Sequence, residues 1–124
     1  MLSDSNIIIY SAKPQYAHIK EFILEHHPIS VSAVSYIEVL GYHSLNAQAQ
    51  HYFEVFFQNV TMLPVSFDVI KKASVLRQQQ KMSLGDAIIA ATALLQGLTL
   101  VTHNVKDFEW INGLSVLDPF EQQD

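Results

Sequence analysis

The sequence predicts an α/β domain in three layers: a central parallel sheet of four to five short strands with helices on both faces. Short apolar runs of strand length alternate along the chain with longer segments whose apolar residues recur every third or fourth position. That alternation is the pattern of βαβ units, joined by right-handed crossovers. At 124 residues and 49% hydrophobic content, one domain over 1–124 is expected, because a second core would have too few residues to bury. No repeat, linker or low-complexity stretch interrupts the pattern.

Leu2-Ser3-Asp4 reads as a first strand ending on an acid, with Ser5 or Asn6 opening a helical turn. Ile7-Ile8-Ile9-Tyr10 is too short for periodicity to separate strand from helix. Tyr16, Ile19, Phe22 and Ile23 keep helical register up to His26-His27-Pro28. Ile29 to Ser32 alternates as a second strand, and Ser35-Tyr36-Ile37-Glu38 has the Ser-x-x-Glu spacing of a capping box, so a helix is expected to start at Ser35. From Leu45, the residues Ala49, Tyr52, Phe53, Phe56, Phe57 and Val60 form a wide aromatic stripe on a further helix, suited to core or to a partner interface.

Thr61 to Val65 reads as a third strand, placed at a sheet edge by Pro64. Ser66 caps the next helix, whose inward residues are Val69, Ile70, Ala73 and Leu76, and Gln78 to Lys81 form its polar exit. Ser83 opens a helix that is apolar through Ala93 and stops at Gly97. Leu98 to Thr102 is a fourth strand, His103 to Phe108 a polar turn, and Ser115-Val116-Leu117 a last strand closed by Asp118-Pro119.

The composition removes several classes of function. Without cysteine there is neither a disulfide framework nor a thiolate metal site. No apolar run approaches the roughly 20 residues of a membrane span, and Met1 to Asp4 lacks the basic start of a signal peptide, so a cytoplasmic protein with no membrane partner is expected. Seven Lys and Arg against 12 Asp and Glu give a net charge of −5, which disfavours charge-driven nucleic-acid binding. Acids gathered around a metal nevertheless become a phosphate site once the ion is present.

The candidate site residues are acids. Asp4 follows the first strand among apolar neighbours, where a carboxylate needs a partner. Asp86 sits in the first turn of an apolar helix, three residues after Ser83. It is either a capping acid folded back on its own backbone or a ligand pointing off the helix end. Glu38 carries the same two readings, and Asp107 lies in a polar turn where solvation is the default. The six histidines show no zinc-type spacing. His103 alone lies at the edge of the expected site. Carboxylates from separate elements, without thiol or paired imidazole, suit a hard cation such as Mg²⁺ or Mn²⁺. Two such ions about 3.5–4 Å apart activate a water and stabilise the leaving oxygen in phosphodiester hydrolysis.

With these residues assembled, the chain resembles the PIN-domain ribonucleases, and among them the VapC-type toxins of toxin–antitoxin modules. Leu2 to Tyr10 is similar to the family's opening Asp-Thr/Ser-Asn segment, Ser32 to Glu38 to the segment of its second acid, Gly85 to Ala93 to its third acidic motif, and Leu100 to Phe108 to the strand and turn of its fourth. The resemblance implies a PIN-like α/β/α fold and a metal-dependent endoribonuclease in which Asp4, Glu38, Asp86 and Asp107 are catalytic and hold the metal. Ser5 and Asn6 are then expected to support Asp4 through hydrogen bonds, with Thr102 and Asn104 as further supporting residues. Some members carry an acid where Asn104 stands, so Asn104 is a candidate for orienting a water instead. The resemblance also implies an RNA substrate, transfer RNA being the family's frequent target, a homodimer, and a small antitoxin partner for which the Tyr52, Phe53, Phe56 and Phe57 stripe is a candidate surface. Two other readings stay open on the residues alone: a non-catalytic PIN-fold protein-binding module, and an aspartyl phosphotransferase or phosphatase with Asp4 as nucleophile, which wants an acid two residues on where Asn6 stands.

Overall fold

Five short strands hydrogen-bond side by side in the order β3-β2-β1-β4-β5, and every pairing is parallel. They are β1 (Leu2–Ser3), β2 (Ser30–Ser32), β3 (Thr61–Leu63), β4 (Leu100–Val101) and β5 (Val116–Leu117). The structure is a computed structural model and describes residues 1–122. Six α-helices connect the strands: α1 (Ser5–Ser11), α2 (Ala17–Glu25), α3 (Ala33–Leu40), α4 (Ala47–Gln58), α5 (Phe67–Gln79) and α6 (Leu84–Gln96).

Strand alternation divides the core. Leu2 and Leu100, partners across β1 and β4, bury with Val69, Ala73 and Leu76 of α5 and the alanine-rich face of α6. Val101 and Ile29 bury with Ile7, Ile19, Phe22 and Ile23 of α1 and α2. Val31 packs with Ile8, Val39, Phe53 and Phe57, joining α3 and α4. The expected aromatic stripe therefore splits: Phe53 and Phe57 are core, whereas Tyr52 and Phe56 stay half-buried. Pro64 lies just past the edge strand β3, as expected of a residue with no N–H to donate.

Local chemistry sets the helix ends. Ser66 and Ser83 cap α5 and α6 by accepting from the N–H groups of Val69 and Asp86, at 3.2 and 3.1 Å. Gly97 ends α6 in the left-handed region at φ 65°. Its N–H donates to Leu94 and that of Leu98 to Ala93, which closes the helix with paired bonds that favour glycine.

One start differs from expectation. Helix α3 begins at Ala33, not Ser35: Ser32, the last residue of β2, turns straight into the cap and accepts from Val34 N–H at 3.2 Å. Ser35 is thereby left inside the helix and fully buried, and Glu38 is no capping acid.

Beyond β1 the chain builds outward through β2 and β3, then crosses back through α5 and α6 to place β4 on β1's other side. The order reverses between β1 and β4, and open parallel sheets bind ligands in the crevice outside the carboxyl ends of strands at such a point. Asp4 and Thr102 are the residues that leave β1 and β4 there.

Candidate active site

Asp4 is both a helix cap and a buried acid. Its Oδ1 accepts from the N–H of Ile7 at 2.9 Å, starting α1, while its backbone N–H donates to Val101 at 3.0 Å. The residue is only 3% exposed. Burial pushes its carboxyl up to about 6, the Thr102 hydroxyl and the Ile7 N–H pull it back, and the charges of Asp86 and Glu38 raise it further.

Glu38 reaches the same place from the second turn of α3. Its Oε1 lies 2.7 Å from Ser5 Oγ, which is 2.9 Å from the buried Ser35 Oγ. A hydroxyl has one proton, and an ionised carboxylate only accepts. Ser5 therefore donates to Glu38 while Ser35 supplies the bond to Ser5. Gly85 makes room for this carboxylate: a Cβ at 85 would overlap Glu38 Oε2 and stand 2.8 Å from Cδ.

Asp86 completes the group from the first turn of α6. Ser83 caps the helix through the Asp86 backbone N–H, and no reciprocal bond runs from the Asp86 side chain to the Ser83 backbone among the described residues. The carboxyl interacts with the Ser83 hydroxyl rather than with the Ser83 backbone. Burial raises its pKa, Ser83 lowers it, and the charges of Glu38 and Asp107 raise it again. Asp107, exposed on a 3-10 turn (Val105–Asp107), shares a cleft of about 570 Å³ with Asp86.

Four acids from four elements thus influence one another: the charges of Asp86 and Glu38 act on Asp4, and those of Glu38 and Asp107 act on Asp86. Among the described residues no three His, Cys, Asp or Glu side chains form a finished cage for an ion. What the structure does provide is an all-oxygen donor set, with Asp4 buried, Asp86 half-buried and Glu38 and Asp107 exposed, and the gap at Gly85. These fit a hard divalent cation, which accepts carboxylate and water oxygens and keeps several waters.

The supporting residues are redistributed. Ser5 serves Glu38 instead of Asp4, and Asn6 is exposed and makes no side-chain hydrogen bond to Asp4 among the described residues. Once Asp4 caps α1 itself, Asn6 is carried round the helix to the solvent side. Thr102 is fully buried and its hydroxyl acts on Asp4, while it accepts from the Asn104 backbone N–H at 3.0 Å. Asn104 thus contributes its backbone, and its side chain is exposed. His103 turns away: its Nδ1 is 3.1 Å from Asp118 Oδ2 and its ring lies 4.1 Å from that of Phe120.

Sequence reasoning missed Ser35, although Ser-x-x-Glu spacing already puts Ser35 and Glu38 on one helix face. The space at Gly85 goes to Glu38 and not to its sequence neighbour Asp86.

The profile of the PIN domain matches residues 1–113. The chain belongs to the PIN-domain family. It is 51% identical over 41 residues to ribonuclease VapC1 of Rickettsia felis, a match spanning 32% of this chain and 31% of that relative. Over nearly its whole length it is similar to a chain of a toxin–antitoxin complex from Klebsiella pneumoniae, with 30% identity, TM-score 0.78 and coverage of 95% of this chain and 96% of that one. A chain of VapBC-1 from nontypeable Haemophilus influenzae matches at 27% identity and TM-score 0.77, over 96% and 97% of the two chains. This PIN domain shares its fold with these toxin–antitoxin and VapBC chains.

Proposed function

We propose that this PIN domain is a Mg²⁺- or Mn²⁺-dependent endoribonuclease, the toxin of a toxin–antitoxin pair. The observation that carries the reading is the convergence of Asp4, Glu38 and Asp86 at the β1/β4 switch point, where their charges repel within the fold. Clustered acids raise their own pKa values and so destabilise the empty arrangement. Such a cluster is what a cation site needs.

Asp4, Glu38 and Asp86 would hold the ion, with Asp107 at the outer end. When bound, a divalent ion supplies activation of water and charge stabilisation at the phosphate. The chain's own residues do the positioning. Ser35 and Ser5 fix the Glu38 carboxylate by a two-hydroxyl relay, Gly85 leaves it space, and Thr102 with the Ile7 N–H fixes Asp4. Asp107, exposed across the cleft, is placed to accept a proton or hold a water at the outer end.

The similarity to ribonuclease VapC1 supports RNA as substrate, and the similarity to chains of toxin–antitoxin complexes supports an antitoxin as partner. A groove of about 750 Å³ between α2 and α4, lined by Ile23, Leu24, Tyr52, Val55 and Phe56, offers the antitoxin an apolar seat. Ile37, Phe67 and Leu84 are 70%, 71% and 61% exposed, apolar area suited to a homodimer. No helix of the described residues is long and apolar enough to cross a membrane, and a cytoplasmic setting is part of the proposal. The test is RNA cleavage with Mg²⁺ by wild type and Asp86→Asn: loss in the variant supports the assignment, and wild-type rate in the variant overturns it.

A further inference from the structure

Seven cationic side chains serve the whole chain, and Arg77 is its single arginine. Arg77 and Lys81, at the end of α5 and just beyond, line the same cleft as Asp86 and Asp107. Neither forms an ion pair within 4.0 Å among the described residues, where the pairs are Lys71–Asp68 and His103–Asp118. They are therefore not simply counterions of the acids they face. The cleft has an acidic wall and a basic wall.

Arg77 is also held in place. Its Nε donates to the Met82 carbonyl at 3.2 Å, across the α5–α6 connection. That bond uses the inner nitrogen and leaves the two terminal amino groups as a fork, the geometry that grips phosphate in bidentate fashion. Lys81 adds a mobile point charge beside it. A bland role exists: a cation in the last turn of α5 favours the helix dipole. That role explains neither the bond from Nε nor the second cation in the cleft.

We propose that Arg77 and Lys81 are substrate-binding residues that grip an RNA backbone phosphate flanking the one at the acids. The inference rests on the ribonuclease reading and deepens it, by saying how a chain of net charge −5 holds a polyanion: by two cations placed at the site instead of a basic surface.

The test is fluorescence anisotropy with a short single-stranded RNA oligonucleotide over a salt series, using the full chain with Ca²⁺ in place of Mg²⁺. Arg77→Ala with Lys81→Ala is expected to weaken binding at least about tenfold at low salt. The slope of log affinity against log salt is expected to fall by about 0.7, for the one phosphate no longer neutralised. Arg77→Lys, which keeps the helix-end charge but not the fork, should lose part of the affinity, and Lys71→Ala with Lys72→Ala, an equal loss of two charges away from the cleft, should change neither quantity. A folded double variant, checked by circular dichroism, that binds with the wild-type slope overturns the proposal. Cleavage is followed separately with Mg²⁺. Wild type that binds RNA with the expected variant losses yet never cuts it overturns the ribonuclease reading and leaves the phosphate grip standing. Wild type without RNA affinity overturns both.

Discussion

Two polar regions lie back to back where β4 leaves the sheet, and they are resolved in opposite ways. Thr102 turns toward Asp4, and the next residue, His103, turns toward Asp118. At the His103 side the acid is paired within the fold, although the buried Nε2 of His18 beside it has no hydrogen-bond partner among the described residues. Asp118, with a side chain 9% exposed, accepts from the imidazole and from the Phe120 N–H at 2.9 Å, and Tyr10, Tyr16, His18 and Phe120 pack edge to face around the pair. At the Asp4 side a more deeply buried acid meets two more acids and, among the described residues, no cation within ion-pair distance. In the first arrangement the carboxylate already has its partners. The second gains only from something brought in.

Substitutions should separate the two regions. The largest effect is expected from Asp86→Asn, which should lower Mg²⁺-dependent RNA cleavage by at least about 100-fold, while Asp118→Asn leaves the cleavage rate unchanged; initial rates on one RNA compare them. Next is Gly85→Ala. Alanine favours a helix over glycine by about 1 kcal/mol, yet its Cβ collides with the Glu38 carboxylate, so cleavage should fall about 10-fold to 100-fold without a matching loss of thermal stability.

Asp4→Asn addresses charge alone, since asparagine caps a helix as well as aspartate. Because folding raises the Asp4 pKa from 3.8 to about 6, the folded state binds the proton more tightly. Its contribution to stability is full below pH 3.8 and is lost as pH rises through about 6. Above that range and without divalent ion, the variant should be more stable than wild type by roughly 2–3 kcal/mol, and the gain should vanish in acid. Denaturant melts across pH read this directly. The smallest effect belongs to the other region: Asp118→Asn should lower stability by about 1 kcal/mol at neutral pH, a loss where Asp4→Asn gives a gain.

Much of this contrast was legible in the sequence, because patterning and capping are local. The strand order of polar and apolar runs, Ser66, Ser83 and Gly97 as helix ends, and Pro64 at an edge all follow from neighbours within one turn. Asp4 and Asp86 stood out as acids in apolar surroundings. The partners did not, since they depend on where α3 begins. With Ser32 as cap, Ser35 turns inward to Ser5, and Ser5 serves Glu38 instead of Asp4. The same holds for Arg77: its place in one cleft with Asp86 arises from the turn between α5 and α6, and in the sequence it is only the residue before the polar helix exit Gln78 to Lys81.

The central claim is that the acids at the β1/β4 crevice form one cation site. Mn²⁺ binding followed by electron paramagnetic resonance tests it most directly, on wild type, Asp86→Asn and Asp118→Asn. Wild type and Asp118→Asn should take up Mn²⁺ alike while Asp86→Asn loses most of its affinity. Equal uptake by Asp86→Asn and wild type, or none by wild type, would contradict the account.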